Sequence, residues 1–170
     1  MKHICATFLV LCNTTIADLD SEKIKFIDEV KSCALHYNSL INIQERLPIY
    51  LVIAQGAFES DWGRSRFAVE GNNLFGVRAV SESEPHLHAQ ENEKVMVKTY
   101  LTKCDSVQDY MELLMTGKHY KRFQEEIINQ WLLDEIDIDK LIDTLDNYAE
   151  NPNYKTKLKE TVNYLTHYIK

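Results

Sequence analysis

The stretch that decides the fold is residues 54–76, which read AQGAFESDWGRSRFAVEGNNLFG. It completes a run, residues 49–59, that is apolar on nearly every side, and Pro48 before that run suits the first turn of a helix. The pattern therefore predicts a helix in the middle of the core. Gly63 is well placed to end this helix, and Ser65 can cap a short second helix that reaches about residue 69.

Helical spacing dominates the rest of the chain. Ser106 with Asp109 is predicted to begin a helix that Gly117 ends. Two segments, 74–80 and 95–102, are strand-like instead and are joined by a polar stretch. We therefore predict a mostly helical α+β domain with a small antiparallel β lobe of two or three strands. Further helices are predicted at about 24–41, 120–133, 138–148 and 154–169.

Composition and charge exclude several classes of protein. The 170 residues are 45% hydrophobic and 26% charged, which is enough for one domain with a real core. With 19 Lys and Arg against 26 Asp and Glu, the net charge of −7 argues against a nucleic-acid-binding protein. Six histidines and four cysteines are too scattered to indicate a metal site, so we expect neither a metal nor a cofactor.

The first 17 residues resemble an export signal. A lysine at position 2 is followed by the apolar run ICATFLVL and by small residues at Thr15 and Ala17. We predict a secretory signal peptide over 1–17 and a single domain over 18–170, so the mature protein would be secreted or periplasmic, monomeric and without a stable membrane anchor. Cys33 and Cys104 would then lie in an oxidising compartment, where either a disulfide or two buried thiols is possible.

Glu59 has the predicted surroundings of a general acid. It ends an apolar helix beside Phe58 and Trp62. The negative end of the helix dipole and the exclusion of water both disfavour a carboxylate and raise its pKa. A carboxyl group that stays protonated near neutral pH can donate a proton in catalysis. On these residues alone, a solvated glutamate at a helix end remains the alternative.

A longer pattern favours the catalytic interpretation. The stretch 54–76 and the later segment 147–154, NYAENPNY, together resemble the motifs of the family 73 peptidoglycan glucosaminidases, most closely a stand-alone secreted Bax-like branch. The resemblance spans roughly residues 44–168. It implies a lysozyme-like fold and cleavage of the glycan strands of peptidoglycan at N-acetylglucosamine by an endo-acting hydrolase. By the same resemblance, Glu59 is the catalytic acid and Tyr148 faces it across the cleft, and the substrate-binding positions are Asn73, Phe75, Trp62 and Tyr154.

The second catalytic carboxylate is not assigned by the resemblance. The family often carries a glutamate on the hairpin of the β lobe, and here Glu91 and Glu93 are the nearest candidates, with Glu82 and Glu84 further away. The carboxylate separation would decide between inversion and retention. Substrate assistance by the 2-acetamido group, a lytic transglycosylase, and a non-catalytic peptidoglycan-binding or scaffold protein stay open as alternatives.

Overall fold

The computed structural model describes residues 8–90, 92–146, 148 and 152–166, with side chains from residue 21 onward. Within these residues the chain forms seven α-helices, two short 3-10 helices at Ile43–Glu45 and Lys118–Tyr120, and a two-stranded antiparallel sheet. The helices are α1 (Phe8–Leu40), α2 (Ile49–Ser60), α3 (Arg66–Gly71), α4 (Lys103–Thr116), α5 (Lys121–Leu133), α6 (Ile138–Asp143) and α7 (Tyr154–Leu165), and the strands are β1 (His86–His88) and β2 (Met96–Lys98). The predicted mostly helical α+β class is confirmed.

Helix α2 is the centre of the core, as its apolar sequence predicts. Every side chain from Leu51 to Ala57 is buried, including the polar side chain of Gln55. Helices α1 and α7 pack against it from two sides. Because an amphipathic helix needs one partner and an apolar one needs several, this arrangement follows from the sequence of α2.

The turn after α2 is tighter than its single glycine suggests. Three consecutive residues, Asp61, Trp62 and Gly63, have φ values of 52°, 59° and 79°. The helix therefore ends at Ser60, three residues before the glycine predicted to end it. Ser60 Oγ donates to the carbonyl of Gly56 at 2.5 Å and accepts from the Gly63 N–H at 2.8 Å, which helps hold this left-handed turn immediately after Glu59.

The start of α4 differs from the prediction by four residues. Thr102, rather than Ser106, is the capping residue, and its hydroxyl accepts from the N–H of Asp105 at 3.2 Å. The Asp105 carboxylate in turn accepts from the Thr102 N–H at 2.8 Å, which completes a capping box. Ser106 lies inside the helix and is buried. Thr102-x-x-Asp105 and Ser106-x-x-Asp109 have the same pattern one turn apart, so the local sequence fits both starts.

The β lobe has two strands, and one of the two predicted strands is wrong. Segment 74–80 contributes only an isolated bridge from Arg78 to Val97, because Asn73 and Gly76 hold its first residues in a turn. β2 pairs instead with β1, which lies in the stretch predicted to be a polar connection. The lobe is joined to α3 at Gly71, where a Cβ would lie 2.9 Å from Thr99 Cγ2.

A disulfide joins α1 to α4. Cys33 and Cys104 are bonded, with 5.1 Å between their α-carbons, and they lie 71 positions apart in sequence. A covalent link of this span removes a large amount of loop entropy from the unfolded chain.

The predicted signal peptide, residues 1–17, falls outside the residues whose side chains the structure describes. Residues 1–7 and the side chains of residues 8–20 lie outside the described residues, so the 1–17 boundary stays a prediction. No helix in the described residues is long and apolar enough to cross a membrane.

Candidate active site

Glu59 lies in the last turn of α2, against the first residue of α7. Its Oε1 is buried and has no hydrogen-bond partner among the described residues. Burial raises the pKa of Glu59 from its ordinary value of 4.5 to about 7, and a hydrogen bond with the Tyr154 side chain opposes the rise. Of the described residues, no charged group contributes to this shift. The environment is therefore that of a carboxyl group held partly protonated at neutral pH by exclusion of water.

Tyrosines surround this carboxyl group. Tyr148 stacks on Tyr154 with 5.7 Å between ring centroids, and its hydroxyl donates to the carbonyl of Phe75 at 3.1 Å. Burial, the neighbouring Tyr110 and Tyr154, and the Glu59 carboxyl together raise the pKa of Tyr148 well above its ordinary value. Tyr148 is half-buried. The resemblance to the family predicts that Tyr148 and Glu59 face each other across the cleft, and this placement stays a prediction.

Asn73 and Phe75 are part of the protein interior. Asn73 is 1% exposed and its side chain makes four hydrogen bonds, donating to the carbonyls of Val77 and Lys98 and accepting from the N–H groups of Phe75 and Val77. The Phe75 ring stacks on Tyr110 at 4.0 Å between centroids. These contacts fix the turn that carries the Phe75 carbonyl to Tyr148. They leave both side chains almost no surface for a ligand.

Trp62 and Tyr154 contribute in different ways. Tyr154 is 3% exposed and its hydroxyl contacts Glu59, so its side chain belongs to the protein interior. Trp62 packs edge-on against Phe26 and Tyr164 and lies under the ammonium group of Lys23 at 4.9 Å. It lines a shallow groove of about 380 Å³ between α1, α2 and α7, and the residues lining that groove do not include Glu59.

The hairpin glutamates have separate environments. Glu93 is exposed at the turn between β1 and β2, and Glu91 lies outside the described residues. Glu82 is exposed, whereas the half-buried Glu84 accepts from the Val80 N–H at 2.6 Å and is 3.9 Å from Lys98 Nζ. Glu84 is therefore held by contacts within the β lobe, whereas Glu93 is exposed at the tip of the lobe. The second catalytic carboxylate stays a prediction.

Sequence reasoning missed two residues of this site, Gln55 and Tyr110. Gln55 is fully buried one helical turn before Glu59, where its Oε1 accepts from the Tyr110 hydroxyl and its Nε2 donates to the Tyr154 hydroxyl at 2.9 Å. A polar residue in the middle of an otherwise apolar helix was the available signal for Gln55. Tyr110, on α4, carries no such signal because it sits where a core residue is expected.

The chain belongs to the family described as mannosyl-glycoprotein endo-beta-N-acetylglucosaminidase, whose model matches residues 36–167. The predicted membership of the glucosaminidase family is thereby confirmed, and the Bax-like branch stays a prediction.

A curated relative and two solved structures are similar to this chain. It is 31% identical over 113 residues to the exo-glucosaminidase LytG of Bacillus subtilis, and the match covers 62% of this chain but 38% of that protein. The catalytic domain of the autolysin Auto from Listeria monocytogenes has a TM-score of 0.65 at 18% identity and covers 96% of this chain and 97% of that one. A peptidoglycan hydrolase from Sphingomonas sp. A1 has a TM-score of 0.63 at 22% identity and covers 82% and 87%. At these identities the two structures establish the shared fold.

Proposed function

We propose that this protein is a peptidoglycan hydrolase that cleaves glycan strands at N-acetylglucosamine, with Glu59 as the general acid. The observation that carries the proposal is the Glu59 carboxyl, whose pKa burial raises to about 7. Membership in the glucosaminidase family and the names of its relatives, a glucosaminidase and a peptidoglycan hydrolase, support the choice of substrate.

In the proposed mechanism, the protonated Glu59 donates to the glycosidic oxygen as the sugar acquires oxocarbenium character. The apolar surroundings keep the proton on the carboxyl group until a leaving oxygen accepts it. The Tyr148 hydroxyl donates its proton to the Phe75 carbonyl, so its oxygen lone pairs point away from that bond. In the proposed mechanism these lone pairs lie near the positive charge that develops on the sugar. Water then completes the reaction. In one alternative a hairpin glutamate activates this water, and in the other the 2-acetamido group of the substrate takes part before the water reacts.

Two features bear on whether cleavage is endo or exo. The family description is of an endo-acting enzyme, whereas the Bacillus relative is named an exo-glucosaminidase. We propose endo cleavage, in which oligosaccharides of many lengths are released early in digestion. An exo enzyme would instead release one short product from the start.

The compartment is proposed from the substrate and from the cysteines. Peptidoglycan lies outside the cytoplasm, and the Cys33–Cys104 disulfide is the form that persists in an oxidising environment. We therefore propose export through the 1–17 segment, a secreted or periplasmic location, and a monomer without a membrane anchor. Detection of a mature N-terminus near residue 18 in exported protein would support this; a full-length protein retained in the cytoplasm would oppose it.

The test of function compares the wild-type chain with Glu59→Gln on a gel that contains bacterial cell walls. We expect a clear lysis band for the wild type, none for Glu59→Gln, and an unchanged band for the control Glu125→Gln, whose side chain is exposed on α5. Absence of a wild-type band would favour a non-catalytic binding protein. Full lysis by Glu59→Gln would remove Glu59 from the mechanism.

A hairpin variant addresses the second carboxylate. If Glu93 activates water, Glu93→Gln loses about 10²–10⁴-fold in rate, the usual contribution of a general base. If the acetamido group participates instead, Glu93→Gln retains its rate and the wild type cleaves only substrates that carry a 2-acetamido group. A product that ends in an anhydro sugar would identify a lytic transglycosylase.

A further inference from the structure

A chain of hydrogen bonds leads from α4 through α2 to Tyr154 of α7, which interacts with the carboxyl group of Glu59. Tyr110 donates its hydroxyl proton to Gln55 Oε1. Gln55 Nε2 donates to the Tyr154 oxygen at 2.9 Å, and Tyr154 in turn interacts with the Glu59 carboxyl group and lowers its pKa. These hydrogen bonds thus join residues from three helices. Tyr110 and Gln55 are 55 positions apart in sequence, and Gln55 and Tyr154 are 99 positions apart.

The direction of these bonds follows from the chemistry of the groups. A tyrosine hydroxyl has a single proton, and the Tyr154 oxygen already accepts from Gln55. Its proton is therefore free to be donated to the Glu59 carboxyl. If the Gln55 amide were turned over, Tyr154 would donate to Gln55 instead and the carboxyl would lose its donor. The Tyr110 proton on Gln55 Oε1 opposes that turn.

We propose that Gln55 and Tyr154 are positioning residues for the general acid, in which Gln55, anchored by Tyr110, holds the Tyr154 hydroxyl with its proton directed at the Glu59 carboxyl. This rests on the proposed function of Glu59. The arrangement serves a group that must lose its proton in one step and regain it in another. Burial favours the neutral carboxyl, and a directed hydroxyl proton favours the carboxylate, so the two together keep both forms accessible.

Burial supports a dedicated role for this chain. Gln55 and Tyr110 are 0% exposed and Tyr154 is 3% exposed, so water does not substitute for the missing partners in a variant. The titratable groups that interact with Glu59 are all tyrosines: Tyr154 of α7, Tyr148 of the preceding turn and Tyr110 of α4. A substitution in this hydrogen-bonded chain is therefore expected to change the pKa of Glu59, and no charged neighbour among the described residues contributes to that pKa.

The test is the dependence of the initial rate on pH, measured at low concentrations of solubilised peptidoglycan so that the rate follows kcat/KM. A general acid is active when protonated, so the rate of the wild type falls as the pH rises through the pKa of Glu59. In Tyr154→Phe we expect this fall to move to higher pH by about one pH unit, because the carboxylate loses a charge-assisted hydrogen bond. In Gln55→Met we expect a smaller shift in the same direction.

The double variant and a control separate positioning from general loss of structure. Gln55→Met in the Tyr154→Phe background is expected to add no further shift, because Gln55 acts through Tyr154. Tyr37→Phe is the matched control: it removes a hydroxyl bonded to Glu112 at 3.2 Å between α1 and α4, and its pH profile should match the wild type. If Gln55→Met fails to fold, Tyr110→Phe removes the anchor of Gln55 with little change in packing and is expected to shift the profile likewise.

Two outcomes would overturn the inference while the proposed function survives. One is a Tyr154→Phe enzyme whose rate drops equally at every pH, which is the behaviour of a structural residue. The other is full addition of the two shifts in the double variant, which would mean that Gln55 acts by another route. If the wild type is inactive, or Glu59→Gln is fully active, it is the proposed function that fails.

Discussion

Replacing Glu59 by glutamine should make the protein more stable at alkaline pH, in addition to removing its activity. In the folded protein the pKa of Glu59 is raised from 4.5 to about 7, so the folded state holds this proton more tightly than the unfolded state does. Below about pH 4 the group is neutral in both states and burial costs nothing extra. As the pH rises from 4.5 through 7, the unfolded chain releases this proton before the folded protein does, so the folded protein loses stability until it carries a buried carboxylate.

The magnitude follows from the size of the pKa change. A rise from 4.5 to about 7 corresponds to a loss of about 3 kcal/mol in the free energy of unfolding above pH 7. Because Glu59 is not fully buried, water at its exposed edge reduces the penalty, and we expect Glu59→Gln to gain about 2–3 kcal/mol at pH 8. For a chain of this size that is a rise in Tm of roughly 4–12 °C.

The assay is urea unfolding of the wild type and Glu59→Gln at pH 4 and pH 8, with Glu125→Gln as the control. We expect the two proteins to have equal stability at pH 4 and to diverge at pH 8, while the exposed control shows no pH-dependent difference. A gain that is the same at both pH values would refute the argument from burial. So would a Glu59→Gln variant that is less stable than the wild type at pH 8.

Three further variants test the framework around the site. Replacing Cys33 and Cys104 by alanine opens a link that spans 71 residues and should cost about 4 kcal/mol in chemical unfolding, with little loss of activity at low temperature; an unchanged stability would contradict this. Asn73→Ala removes four hydrogen bonds from the turn and should lower the unfolding free energy by about 2–4 kcal/mol, whereas a loss of activity at full stability would point to substrate contact. Gly71→Ala places a methyl group 2.9 Å from Thr99 and should destabilise by about 1–3 kcal/mol, an effect that Thr99→Ser is expected to relieve; a melting curve like that of the wild type would show that the β lobe adjusts freely.

What the sequence predicted best is what neighbouring residues determine. Helix α2 and the cap at Ser65, which accepts from the Ala68 N–H at 3.3 Å, depend on residues within a few positions of one another. The burial of the Glu59 carboxyl group was also predictable locally, from an apolar helix that ends in a carboxyl group. These features need no knowledge of distant partners.

What the sequence did not predict depends on distant partners. The three residues of β1 form a strand because β2 offers them a paired edge, and their own sequence, HLH, has little strand character. The Tyr148 bond to the Phe75 carbonyl spans 73 positions, and the Gln55 bond to Tyr154 spans 99. Such contacts are set by how α2, α4 and α7 pack, which helical spacing alone does not determine.

The most direct test of the account is the chemistry of the ends released from purified peptidoglycan. Mass spectrometry of a digest by the wild-type chain should show new reducing ends at N-acetylglucosamine, and the same amount of Glu59→Gln should release none. New ends at N-acetylmuramic acid, or products from Glu59→Gln at the wild-type rate, would contradict the claim that this chain is a glucosaminidase that uses Glu59 as its acid.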